Sequence, residues 1–169
     1  QDISEDIYYQ VIKQKTAALV EACAALGALS VGATEHDIEG ARRFGRNLGI
    51  IFQIRDDIFD YYDHGNIVKP TGNDMMEGKL TLPVIYALKS TQDKDMLTLA
   101  RKVKNGSVTK EEIACLVDFT KAHGGIEYAE KRMWDFHAEA MQFVHAKVKD
   151  EAVQRSLKAY LDYVIERKL

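Results

Sequence analysis

The chain predicts an all-α fold, a helical bundle. Two observations predict the helical part: apolar residues recur at three- and four-residue intervals along most of the 169 residues, and strand-like alternation is almost absent. A third is that stretches between the periodic segments begin or end in helix-capping patterns. With 46% apolar and 29% charged residues, the chain is one domain's worth of sequence, able to bury a sizeable core, with no internal boundary visible.

Taken in order, residues 4–29 predict the first helix. Ser4 suits its N-cap, Glu5 and Asp6 suit its positive end, and Tyr8, Ile12, Leu19, Cys23 and Leu26 keep helical spacing. The alanines at 17, 18, 22, 24, 25 and 28 leave room for close neighbours, which predicts an interior helix. Cys23 and Cys115, far apart and without metal-ligand spacing, are predicted to be buried free thiols of a reducing compartment, with the cytoplasm as default.

After a loop over 30–34, Thr34 and Asp37 predict a cap for a long helix reaching about Tyr62. Its later turns place Gln53, Asp56, Asp57 and Asp60 within a stripe about 100° wide, while Ile50, Ile51, Phe52, Ile54, Ile58, Phe59 and Tyr61 fill the rest. Gly45 and Gly49, on or beside that stripe, permit close approach to the backbone. Arg55 lies opposite, where an outward ion pair is expected.

Three acids so close repel one another and lose solvation when enclosed, and a hard divalent cation relieves both. Mg2+ takes oxygen ligands and is normally held by one or two carboxylates, with substrate phosphates completing its shell. Asp56 and Asp60, one turn apart, are the natural pair, with Asp57 a further ligand or a tuner.

Residues 64–79 predict a loop, rich in glycine and asparagine, whose Lys69, Asp74 and Lys79 can fold over an anion on the acidic stripe. His64 is expected at its surface. Helices follow at 80–89, 96–103 and 109–121, the last opened by the capping box of Thr109 and Glu112. His123-Gly124-Gly125 breaks the chain before helices at 126–148 and from 151 onward. His137 and His145 read as structural or exposed, and Arg167 and Lys168 as solvated terminal cations.

A formal charge of −3 gives no general attraction to nucleic acid, and without a polybasic run or a long apolar stretch any membrane contact is at most peripheral. Phosphate-binding glycine loops, nucleophile elbows and paired-cysteine motifs are absent from the sequence.

FQIRDDIFDY, followed by KPTGND, EGK and LTLP, resembles the second aspartate-rich region of the trans-isoprenyl (polyprenyl) diphosphate synthases. The resemblance implies an isoprenoid-synthase-like helical bundle and a Mg2+-dependent prenyltransferase that ionises an allylic diphosphate, adds the double bond of isopentenyl diphosphate and loses a proton. It implies that Asp56, Asp57 and Asp60 serve the metal and that Lys15, Lys69 and Lys79 contact diphosphate. By the same resemblance Thr16 lines the chain tunnel or orients its neighbours, Gln53 bonds substrate or water, and Asp74 supports the network. Val68 stands where the family commonly has glycine.

The family also carries an earlier DDxxD on a facing helix, and none occurs in these residues. The expectation is therefore that residues 1–169 form the carboxy-terminal region of a synthase domain, truncated or processed and inactive alone. A homodimer is implied for the parent. The alternatives are a class I terpene synthase-like enzyme and a non-catalytic helical subunit of a prenyltransferase complex.

Overall fold

A computed structural model describes residues 3–63 and 71–167, and every regular element among them is helical. The first predicted helix is present but interrupted. Helix α1 (Glu5–Ile12) passes into a five-residue π turn, Lys13–Ala17, before α2 (Ala18–Ser30). In that turn the Ala18 N–H reaches back to the Lys13 carbonyl, so one residue more than an α-helix needs is accommodated.

Helix α3 (Glu35–Phe59) opens as predicted, with the Asp37 N–H donating to Thr34 Oγ1 at 3.2 Å. It ends sooner than predicted: tight bonds from the Tyr61 and Tyr62 N–H groups to the Ile58 and Phe59 carbonyls replace its last turn. The segment expected to be wholly loop contains a short helix, α4 (Asn73–Met76), entered through Gly72 at φ 78°, a left-handed conformation that glycine adopts without strain.

Helices α5 (Leu82–Thr91), α6 (Lys94–Lys104), α7 (Lys110–Ala122), α8 (Gly125–Lys147) and α9 (Glu151–Glu166) complete the order. The Thr109–Glu112 capping box forms in both directions, at 3.3 and 3.0 Å. Asp93 caps α6 by accepting from the Asp95 and Met96 N–H groups, so that helix starts before the predicted Met96. Asp150 does the same for α9.

The chain forms two compact units. One takes in residues 3–8, 56–63 and 71–130. Its core holds Ile58, Tyr61, Leu82, Val84, Leu88, Val103 and Leu116, and burying each such aliphatic side chain stabilises by about 1.5–3 kcal/mol. Tyr86 stacks on Tyr128 at 4.0 Å, and the Tyr128 hydroxyl donates to Glu5 Oε1 at 2.8 Å.

The other unit takes in residues 9–55 and 131–167, with Ile50, Ile51, Ile54, Met133, Val144, Leu161 and Val164 buried. Gly45 and Gly49 do admit a close neighbour, and it is backbone. A Cβ at Gly49 would lie 2.5 Å from Ala17 Cα, and one at Gly45 2.6 Å from the Val20 carbonyl oxygen. Arg46 closes this seam with a two-pronged pair to Glu21, at 2.8 and 2.9 Å.

The seam covers only the small-residue side of α2. Leu19, Cys23, Leu26 and Leu29 are exposed, which corrects the expectation of an interior helix and of a buried thiol; Cys115 is exposed as well. Among the described residues, no helix is long and apolar enough to cross a membrane.

Candidate functional site

The acidic end of α3 organises the first unit. Asp57 is 4% exposed, and its Oδ2 accepts a 2.6 Å hydrogen bond from the Tyr8 hydroxyl. Asp60 acts as a bracket for the segment that follows. Its two carboxylate oxygens accept the Asn73 and Asp74 N–H groups, each at 3.0 Å, and its carbonyl accepts the Gly72 N–H at 2.8 Å. A carboxylate bonded to two backbone donors is held in one orientation.

From that bracket the chain runs directly to Lys79. The Lys79 N–H bonds to the Asp74 carbonyl at 2.8 Å, and its ammonium pairs with Glu77 and lies 3.6 Å from Asp74 Oδ1. The hydrogen bond to Glu77, with the charge of Asp74, holds the Lys79 pKa above the ordinary lysine value, keeping the ammonium charged. Gly78, at φ 78°, makes the turn that permits this return.

Beside Asp57 and Asp60, the Tyr61 hydroxyl is fully buried and shares a 3.1 Å bond with Thr81. Burial, reinforced by the charges of both aspartates, raises its pKa far beyond the usual phenol range, while the Thr81 bond opposes the shift. It is a neutral structural group. Asp56 is half-buried.

The second unit holds the Lys-Thr pair. Lys15 and Thr16 both lie in the π turn, and Thr16 donates to Gln53 Oε1 at 2.7 Å. Lys15 is exposed. Arg55, expected in an outward ion pair, donates from Nη2 and Nε to the Arg167 carbonyl at 2.8 and 3.2 Å. The Arg167 guanidinium lies 4.3 Å from the centre of the Phe52 ring, so this terminal cation is docked on α3 and not solvated as predicted. His137 is structural as expected, bonded to Asp162 at 2.7 Å.

Thus Asp60, Asp74 and Lys79 come together in one unit, and Thr16 and Gln53 in the other. Lys69, His64, Val68 and Lys168 lie outside the described residues. Among those described, no group of three or more His, Cys, Asp or Glu side chains is arranged to hold a metal ion.

The model of the polyprenyl synthetase family matches residues 1–119. The chain belongs to that family.

The short chain isoprenyl diphosphate synthase of Methanothermobacter thermautotrophicus is 34% identical across 98% of this chain and 50% of its own length. The geranylgeranyl pyrophosphate synthase of Bacteroides thetaiotaomicron superposes with a TM-score of 0.92 at 46% identity, over 99% of this chain and 54% of that one. A geranylgeranyl pyrophosphate synthase of Corynebacterium glutamicum, solved with calcium and isoprenyl diphosphate, gives 0.78 at 29% identity, covering 95% of this chain and 49% of that one. This family member therefore spans about half the length of the relatives it matches.

Two bonds of the site escape a residue-by-residue reading. Tyr8 registers in the sequence only as one apolar position on a helix face, and nothing in its spacing pairs it with Asp57. Asp60 gives no sign that it caps a helix thirteen residues later, because capping patterns are legible only when cap and helix adjoin.

Proposed function

We propose that this chain is the acidic-helix half, at the carboxy-terminal side, of a trans-prenyltransferase that joins an allylic diphosphate to isopentenyl diphosphate. The observation that carries the proposal is the Asp60 bracket. It ties the family's aspartate-rich pattern to Asp74 and Lys79 of its glycine-lysine segment in one hydrogen-bonded unit, so carboxylate and ammonium are presented together. Family membership and the isoprenyl diphosphate held by the C. glutamicum relative support the same chemistry.

The donor set suits magnesium in a limited way. Asp56 on α3 and Asp60 just past its end stand one turn apart, which matches the one or two carboxylates that Mg2+ usually takes. Asp57, almost fully buried and bonded to Tyr8, serves better as a tuner than as a ligand. When bound, the ion would neutralise diphosphate oxygens and ease departure of the leaving group.

The chain's own residues then divide the work. Lys15, Lys69 and Lys79 donate to phosphate oxygens; Asp74 steadies Lys79, and Thr16 steadies Gln53 through its bond to Oε1. Asp57 and Tyr8 lock the end of α3 so that Asp56 and Asp60 keep their direction. A homodimer and a cytoplasmic location belong to the same proposal.

The test is condensation of an allylic diphosphate with labelled isopentenyl diphosphate in magnesium. The chain alone should be inactive, and turnover should appear when the uncovered part of a close relative is supplied. In that assembly Asp56→Asn should lower turnover by about 100-fold or more with little change in melting temperature. Lost stability with unchanged activity per folded molecule would refute the metal role.

A further inference from the structure

Helix α4 is four residues long, and a helix that short does not hold itself in water. Yet the segment around it carries Asp74 and Lys79, which the functional reading sets against diphosphate. Asp60 fixes the entrance of that segment. Two helices much further along the chain meet the rest of it.

The segment turns at Gly72 and Gly78, both at φ 78°, and each turn lies against the α6–α7 pair. A Cβ at Gly72 would stand 2.4 Å from Ile113 Cγ2 and 3.7 Å from Val117 Cγ2, both on α7. One at Gly78 would stand 3.4 Å from the Val103 carbonyl oxygen, in the last turn of α6. Between the two turns Met75 is buried, as are Ile113, Val117 and Val103. The backbone of the segment therefore rests on α6 and α7 at both of its turns.

That support is braced. Glu112, the neighbour of Ile113, accepts the Thr109 N–H at 3.0 Å and pairs with Lys102, which ties the first turn of α7 to α6. Ile113 is β-branched, and such a side chain has one strongly preferred rotamer in a helix. The methyl group that meets Gly72 is thus fixed in place by the backbone of α7.

We propose that the α6–α7 pair sets the position of the segment that carries Asp74 and Lys79, with Ile113 as the positioning residue. Ile113 is apolar and buried, so it acts on the site through Gly72. The Gly72 N–H bonds to the Asp60 carbonyl at 2.8 Å, and the Gly72 carbonyl accepts the Met76 N–H at 3.0 Å. A shift of Gly72 moves the bracket and α4 together. Only what the segment binds depends on the functional reading; how it is held does not.

Ile113 can be replaced in three ways that separate contact from stability. Ile113→Ala removes the Cγ2 methyl, Ile113→Leu keeps the volume but loses the β-branch, and Ile113→Val keeps Cγ2. Leu88→Ala, in the core of the same unit, is the control for stability alone. Amide hydrogen exchange is read at Gly72, Asn73 and Asp74 relative to the most protected amides of each variant. It should quicken by about tenfold or more in Ile113→Ala and Ile113→Leu, and stay within about twofold of the parent in Ile113→Val and Leu88→Ala.

Calorimetric titration of the chain with inorganic diphosphate in magnesium supplies the second readout. Its Kd should rise by about fivefold or more in Ile113→Ala and Ile113→Leu and recover in Ile113→Val. Should Ile113→Ala fail to fold, Ile113→Leu carries the same comparison. Equal quickening in the Ile113 variants and in Leu88→Ala overturns the proposal, and so does a diphosphate affinity that both disruptive Ile113 variants leave unchanged. A parent chain that binds no diphosphate removes the functional reading, and the exchange pattern then upholds or overturns the hold of α6 and α7 on the segment.

Discussion

Helices α2 and α5 are near twins in composition and opposites in burial. Each is apolar almost throughout, with Glu21 the sole charge of one and Lys89 of the other. In α5 the side chains of Leu82, Pro83, Val84, Ile85, Ala87 and Leu88 are buried, whereas in α2 only Ala25 is. Sequence records what a helix requires of its surroundings, and the surroundings of α2 are not all supplied by its own unit.

The sharpest way to break that contrast is to truncate one leucine in each. Leu88, 1% exposed, should cost about 2–5 kcal/mol when changed to alanine, through lost transfer energy and the cavity left behind. Leu26→Ala should change stability by less than about 0.5 kcal/mol, since its side chain already meets water. Denaturant midpoints of the two variants measure both. Equal losses would mean that the leucine face of α2 is enclosed in solution.

The packed side of α2 can be probed through its partner. Gly49→Ala places a methyl group 2.5 Å from the Ala17 Cα, and because backbone cannot step aside as a flexible side chain does, the expected loss is about 1–3 kcal/mol. A neutral effect on the thermal midpoint would show that this seam is loose. Gly27, whose added Cβ meets nothing within 4 Å, is the matched control on α2 itself.

The smallest effect concerns the ion pair across the same seam. The hydrogen bond from Arg46, aided by its charge, lowers the Glu21 pKa below the ordinary 4.5 despite opposing desolvation. The folded value is the lower one, so this stabilisation is complete above about pH 4.5 and is lost as pH falls through the depressed folded value. It should amount to less than about 1 kcal/mol, because both side chains remain partly exposed. Glu21→Gln should flatten that part of the acid limb in a stability–pH titration, leaving neutral pH nearly unchanged.

Legibility in the sequence followed the range of the interaction. The helical class, the capping box at Thr109 and the break at His123-Gly124-Gly125 depend on neighbours within a turn, and they could be read. Helix α4 could not, because its start depends on Gly72 taking a positive φ and on a cap from Asp60, thirteen residues before Asn73. The π turn is equally silent: Lys13–Ala17 has the composition of an ordinary helix. Exposure of Cys23 was misread for the reason that separates α2 from α5, since periodicity tells which side chains seek cover and not whether cover is within reach. At the site, residue types and spacing exposed the acidic stripe, while the partners that orient it, Tyr8 and the Asn73 and Asp74 backbone, come from distant positions.

The single surplus residue in the Lys13–Ala17 turn acts as a phase shifter for everything before it. Removing one residue there would restore ordinary winding and rotate α1 by roughly 100° about its axis. Tyr8 and Ile12, now sheltered, would swing toward water, and polar residues such as Gln10 would turn inward in their place. A one-codon deletion that leaves every named site residue in the gene would thus misdirect the whole opening segment.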